Sequence, residues 1–94
     1  MPSVHNLEEA KRDELQRRLR RIEGQTQGIQ RMIDEGRDCL EILDQLASVK
    51  AALNGLSLEM VESFALYCLQ NPEQFDGSDD AVRQAVKALS RAGR

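Results

Sequence analysis

Two long stretches of this chain repeat apolar residues at alternating steps of three and four, the spacing that draws one apolar stripe along an α-helix. The first stripe consists of Leu15, Leu19, Ile22, Thr26, Ile29 and Ile33. The second consists of Ile42, Leu46, Val49, Leu53, Leu56 and Met60. Since a strand needs a period of two, the pattern predicts an all-α fold.

Breaker residues predict where three helices begin and end. Gly36 is typical of the position just beyond a helix, Asp38 is a competent N-cap, and Pro72 disfavours helical geometry in the residue before it. The predicted elements are a flexible tail over residues 1–6 and helices over about 7–35, 39–70 and 79–92. Nothing resembling a linker or repeat interrupts the chain, so we expect one domain over residues 1–94.

The size and composition limit what the chain can do. A chain of 94 residues buries a modest core, which favours oligomerisation. It has no apolar run long enough for a bilayer and no signal-peptide centre, so we expect a cytoplasmic protein without a membrane partner. We do not expect an enzyme, because paired acid and base clusters and Gly-rich phosphate loops are absent and His5 is the single histidine.

The two cysteines lie at opposite ends of the predicted second helix. Cys39 and Cys68 are separated by twenty-nine residues, which is about 43 Å at 1.5 Å per helical residue. Antiparallel pairing of two copies, about an axis between Leu53 and Asn54, would place Cys39 beside Cys68 of the partner subunit. Gly55 would permit close approach near that axis. Alternatively, both cysteines are small buried hydrophobic residues.

A basic cluster occupies the first helix although the net charge is −3. Six basic residues fall within eleven positions: Lys11, Arg12, Arg17, Arg18, Arg20 and Arg21. Such a cluster can bind nucleic-acid phosphates, or it can form a solvated face that pairs at helical spacing with Asp13, Glu14 and Glu23. The sequence contains no helix-turn-helix signature or zinc finger that would decide between them.

The segments 17–25, 28–32, 45–46 and 50–53, together with Cys39, resemble the copper-sensing repressor (CsoR) family. The resemblance covers about residues 15–68. It implies all-α subunits that form an antiparallel helical dimer and then a flat dimer-of-dimers tetramer, which represses transcription until an effector releases operator DNA. Carried over by position, the implied DNA-binding residues are Arg18, with Arg17, Arg21, Gln25 and Lys50.

The resemblance also implies an effector site at Cys39, Phe64 and Cys68. Copper sensors of the family have Cys, His and Cys at these positions, whereas here the second residue is Phe64, which has no lone pair for a metal. The pattern resembles the persulfide-sensing CstR branch, which implies a reactive sulfur effector and no cofactor. Cys39, in the first turn of its helix beside Arg37, is then the attacking thiol and Cys68 the resolving thiol, linking two subunits.

Alternative functions remain open at this point. Pro2, exposed after removal of Met1, and the sequence Asn54-Gly55-Leu56 resemble formaldehyde-sensing and nickel/cobalt-sensing relatives. A Cu(I)- or formaldehyde-responsive repressor is therefore an alternative, with Cys39, Cys68 and His5 as the metal ligands. A helical interaction module with inert thiols, which binds no DNA, is the alternative from a different class.

Overall fold

The computed structural model describes residues 2–92 and consists of three α-helices joined by short connections. The helices are α1 (Glu9–Asp34), α2 (Cys39–Gln70) and α3 (Ser78–Ala92), and 3-10 turns lie at Val4–Asn6 and Pro72–Gln74. This confirms the all-α fold class. Met1, Gly93 and Arg94 lie outside the described residues. The sequence placed Met1 in the predicted tail and all three residues within the single predicted domain.

The connection between α1 and α2 is set by two capping motifs. Gly36 has φ +68°, and the amides of Gly36 and Arg37 donate to the carbonyls of Ile33 and Met32 at 3.1 and 2.9 Å. This is the Schellman arrangement, which satisfies carbonyls left unpaired at a helix end. Asp38 then accepts hydrogen bonds from the amides of Leu40 and Glu41 at 3.0 and 3.3 Å. The chain therefore reverses abruptly, and α2 returns along α1.

The core between α1 and α2 is small. Ile22 and Ile29 of α1 are buried against Val49 of α2, and partly buried residues surround them: Ile42, Ala52 and Leu56. Other members of the same two predicted stripes remain exposed: Leu19, Ile33, Leu46 and Leu53. One chain thus buries only part of the apolar surface that its helical periodicity creates.

Helix α3 packs on the carboxyl-terminal part of α2 through small residues. Ala81 and Ala85 are buried against Cys68. The larger apolar residues of α3, Val82, Val86 and Leu89, lie at helical spacing on another face and are exposed. Alanines permit close approach of two helix backbones, which explains why they, rather than the larger side chains, form this contact.

The amino-terminal segment differs from the flexible tail predicted over residues 1–6. Val4–Asn6 forms a 3-10 turn, because Ser3 Oγ accepts from the amide of His5 and Asn6 Oδ1 accepts from the amide of Ser3 at 3.2 and 2.8 Å. Arg12 of α1 donates from Nη1 to His5 Nδ1 at 2.9 Å. These contacts fold residues 3–6 onto the start of α1.

The chain is elongated rather than globular. Its extents are 55 × 25 × 15 Å and its radius of gyration is 17.2 Å, whereas a compact chain of this length has a radius of about 12 Å. Within residues 2–92, every helix is too short or too polar to cross a membrane. An extended shape with exposed apolar side chains is typical of a subunit that completes its core with a partner.

Candidate effector site and nucleic-acid face

Cys68 is enclosed completely within its own chain. Its exposed fraction is 0%, and it forms a cluster with Ala81 and Ala85 of α3. Burial raises the pKa of the Cys68 thiol, the Asp80 carboxylate raises it further, and a backbone hydrogen bond partly opposes both. The thiol is therefore protonated at neutral pH, and a reagent must displace part of α3 to reach it.

Phe64 packs against the same cluster, one helical turn before Cys68. Ala65 and Phe75 complete the apolar surround of the thiol. All of these neighbours are hydrocarbon side chains, which supply no lone pair to a metal. The chain thus provides a single sulfur donor at this end of α2.

Cys39 has the opposite environment. It is exposed, and it is the first residue of α2, directly after the Asp38 cap. Arg37 donates to Glu41 at 2.9 Å and lies 3.8 Å from Glu35, so its charge is engaged by carboxylates. The sequence suggested that the positive charge of Arg37 favours the Cys39 thiolate, but two carboxylates already pair with that charge. The exposure of Cys39 still favours it as the first thiol to react.

The structure keeps the two cysteines of one chain apart. Because α2 is continuous from Cys39 to Gln70, the two cysteines are separated by about 43 Å. Residues 2–92 contain no cluster of three or more His, Cys, Asp or Glu side chains able to hold a metal ion. His5, the third ligand of the Cu(I) alternative, is hydrogen-bonded to Arg12. A single chain therefore does not assemble His5, Cys39 and Cys68.

The basic face of α1 is largely unpaired among the residues that the structure describes. Arg17, Arg20 and Arg21 are exposed and have no carboxylate within 4.0 Å in residues 2–92. The helical ion pairs that the alternative interpretation invoked, with Asp13, Glu14 and Glu23, do not form there. Lys50 is exposed on α2, and Gln25 is half-buried, with Oε1 buried and without a hydrogen-bond partner in the described chain.

Arg18 differs from the other arginines of α1 because its side chain forms an ion pair with a residue of α2. Its Nη1 lies 3.2 Å from Glu59 Oε2, and Lys11 Nζ lies 3.4 Å from Glu59 Oε1. A Cβ added at Gly55 would lie 2.9 Å from Arg18 Nη2, so the glycine leaves space for the guanidinium. Sequence reasoning missed Glu59, since the pair spans 41 residues and no periodicity connects its members.

An open groove of about 950 Å³ is lined by α1, α2 and α3. Its lining includes Leu19, Met60, Phe64 and His5. Phe64 therefore lies beside exposed apolar surface. The groove is part of the apolar surface that a single chain leaves exposed to solvent.

The chain was compared with known protein families and structures. Residues 11–91 match the family model of the metal-sensitive transcriptional repressors. The chain is 33% identical to the copper-sensing transcriptional repressor RicR of Mycobacterium tuberculosis, over 100% of this chain and 99% of that protein. It is 28% identical to the copper-sensing transcriptional repressor CsoR of Bacillus subtilis, over 95% and 88%.

A solved structure of a related regulator is similar to this chain over nearly its whole length. The nickel-responsive transcriptional regulator InrS superimposes with a TM-score of 0.77 at 29% identity, over 96% of this chain and 99% of that chain. The expectation that the chain is not an enzyme agrees with these relatives, which are transcriptional regulators.

Proposed function

The chain belongs to the metal-sensitive transcriptional repressors of the CsoR type, and we propose that it binds operator DNA until reactive sulfur species release it. The proposed effectors are persulfides and polysulfides. The observation that carries this proposal is the position of Phe64, which packs in the apolar cluster of Cys68 where it supplies no metal ligand. A pair of thiols without a third ligand favours sulfur chemistry over metal coordination.

The proposed DNA-binding residues are Arg17, Arg18, Arg21, Gln25 and Lys50. Arg18, Arg21 and Gln25 follow each other at steps of three and four, so they share one side of α1. Arg17 and Arg21 are exposed and have no carboxylate partner in residues 2–92, so they neutralise phosphates at little electrostatic cost, and the released counterions supply affinity. This supports a phosphate-binding role for the basic face.

We propose that the functional unit is an antiparallel dimer that associates into a tetramer. Leu43, Leu46 and Leu53 are exposed on α2 at steps of three and seven, so they form one apolar face. Pairing two such faces would bury the surface that leaves the single chain elongated. It would also place Cys39 of each subunit beside Cys68 of the partner subunit.

The proposed chemistry begins at Cys39, because it is exposed and Cys68 is not. The Cys39 thiolate attacks the terminal sulfur of a persulfide RSSH, forms Cys39–S–SH and releases RS⁻. When α3 is displaced, the thiol of Cys68 of the partner subunit loses its proton to water. The resulting thiolate attacks the Cys39 sulfur, forms a disulfide between the subunits and expels HS⁻. Two thiols are oxidised, and the transferred sulfur is reduced to sulfide.

Copper(I) is the second candidate effector. RicR and CsoR, to which the chain is similar over nearly its whole length, are named as copper sensors, which is the specific observation in its favour. In the proposed dimer the ion would be bound by Cys39 of one subunit and Cys68 of the partner subunit, with His5 as a third donor only if it leaves Arg12. Cu(I) prefers soft sulfur ligands, so the donors suit it, although a nitrogen at the position of Phe64 is missing.

One experiment separates these effectors. The reduced protein on operator DNA is treated separately with an organic persulfide, Cu(I) and formaldehyde, and then followed by anisotropy and mass spectrometry. We expect persulfide to release DNA with covalent change at both cysteines, and Cys39→Ser to abolish the release. Release by Cu(I) without covalent change, in a three-coordinate complex, would show that copper is the effector.

The DNA-binding proposal is tested with Arg18→Ala against Arg20→Ala. Both changes remove one positive charge from α1, but two residues along a helix turn by about 200°, so Arg20 and Arg18 lie on nearly opposite sides. We expect Arg18→Ala to reduce operator affinity and to flatten its log-log salt dependence by at most about one unit for each phosphate that is no longer neutralised, because Glu59 already pairs with Arg18 in the free chain. Equal effects of the two changes, or no DNA binding by the wild type, would contradict the proposed face.

A further inference from the structure

We propose that Glu59 of α2 is an internal competitor of DNA phosphate for Arg18, so that Arg18 alternates between a bound position on α2 and a phosphate-bound position. This inference rests on the proposed DNA-binding function. It concerns a contact between the helix that carries both cysteines and the helix that carries the basic face.

The contact has a defined geometry. Arg18 Nη1 lies 3.2 Å from Glu59 Oε2, and Nη2 lies over Gly55 so closely that a Cβ there would approach to 2.9 Å. The two side chains are partly shielded from water, with exposed fractions of 33% for Arg18 and 23% for Glu59. Gly55 leaves space in which the Arg18 guanidinium fits, so this ion pair is better ordered than a pair between two mobile surface groups.

The same carboxylate engages a second cation. Lys11 Nζ lies 3.4 Å from Glu59 Oε1, so Glu59 offers one oxygen to each cation. Lys11, Arg18 and Glu59 together carry a net charge of +1 instead of the +2 that the two cations would present alone. Arg17 and Arg21 meet no such carboxylate in the described residues, so the competition is specific to Arg18.

Two consequences follow for DNA binding. Phosphate must replace Glu59 as the partner of Arg18, and the free energy of the broken ion pair is subtracted from the affinity. An arginine that is already neutralised by a carboxylate attracts fewer anions from solution, so fewer are released when DNA binds. Arg18 therefore also contributes less to the salt dependence of operator affinity. Removing the charge of Glu59 should therefore strengthen DNA binding, although Glu59 touches no phosphate itself.

The test compares Glu59→Gln with Glu62→Gln. Both remove one negative charge from α2 within one helical turn, and Glu62 is exposed without an ion pair among residues 2–92. Operator affinity is measured over a series of salt concentrations. We expect Glu59→Gln to raise affinity about two- to fivefold more than Glu62→Gln for each engaged Arg18, with a steeper salt dependence. In an Arg18→Ala background, most of that gain should disappear.

A second measurement does not depend on DNA. Relaxation of the arginine Nε–H groups in the free protein should show Arg18 ordered in the wild type and in Glu62→Gln, but mobile in Glu59→Gln. Equal Arg18 mobility in all three proteins, or a Glu59→Gln affinity no higher than that of Glu62→Gln, would overturn the inference. A wild type that binds no DNA would instead overturn the proposed function, and the relaxation data would still decide whether Glu59 holds Arg18.

Discussion

Phe64 is the residue on which the proposed preference for sulfur chemistry over metal coordination most directly depends. It packs beside Cys68 and is half-buried. In Phe64→His an imidazole would lie one helical turn before the thiol and on the same face, so it could complete a site with two sulfurs. We expect this variant to gain Cu(I) affinity, measured by competition with a chromophoric Cu(I) chelator.

Phe64→Leu is the matched control for this prediction. It changes the same side chain and keeps an apolar surface, but it adds no nitrogen. We expect it to leave Cu(I) affinity at the wild-type level. Tight three-coordinate binding of Cu(I) by the wild type would contradict the role given to Phe64, and it would point to His5 as the third ligand.

The burial of Cys68 predicts a dependence of stability on alkaline pH. Its pKa is raised above the usual value of 9.0, so the folded chain holds this proton more tightly than the unfolded chain. The resulting stabilisation is complete below about pH 9. It is lost as the pH rises through the folded value, because Cys68 then ionises within an apolar cluster.

We therefore expect the urea-unfolding free energy to fall more between about pH 8 and pH 10.5 in the wild type than in Cys68→Ala. Cys39→Ala serves as the control, since it removes the exposed thiol and leaves the buried one in place. An identical profile for all three proteins would contradict the burial of Cys68 in solution.

At the scale of helices, the sequence predicted the type of each element better than its contacts. The stripes at steps of three and four correspond to α1 and α2, and Gly36, Asp38 and Pro72 lie at or next to helix ends. The buried side of α3 was not predicted, because it consists of alanines, which hydrophobic patterns rank below valine and leucine. The pair between Arg18 and Glu59 depends on how two helices align, which local patterns do not encode.

The turn between α1 and α2 gives a prediction at this scale. Gly36 has φ +68°, which L-residues rarely adopt, whereas Gly24 lies within α1 and an added Cβ would meet nothing within 4 Å. We expect Gly36→Ala to lower the free energy of unfolding by about 1 kcal/mol. Gly24→Ala should raise it by up to about 1 kcal/mol.

Urea denaturation of the two glycine variants measures both effects, with the same methyl group added in each. Opposite signs are the expected result. A loss of stability in both would mean that Gly24 lies in a close contact that a single chain does not contain.

The whole molecule leaves much apolar surface exposed as a single chain. Its long axis is 55 Å, and apolar side chains remain exposed along both long helices. The sequence pointed to oligomerisation because a chain of 94 residues buries only a modest core. It could not assign stripe residues to contacts within or between chains, since both kinds of contact select the same apolar residues. Leu46 and Leu53 illustrate this, because they continue the stripe of buried Val49 and yet are exposed.

The arrangement of the two cysteines gives the prediction that belongs to the assembly. If two copies of α2 pack antiparallel, persulfide should link Cys39 of one subunit to Cys68 of the partner subunit twice in each dimer. Non-reducing electrophoresis should then show a covalent dimer, and each single Cys→Ser variant should lose the doubly linked product. Because Cys68 lies beneath α3, a persulfide on Cys39 should accumulate before the link forms, as time-resolved mass spectrometry can detect. A link within one monomer would contradict the assembly, because α2 separates the two sulfurs by about 43 Å and would have to break.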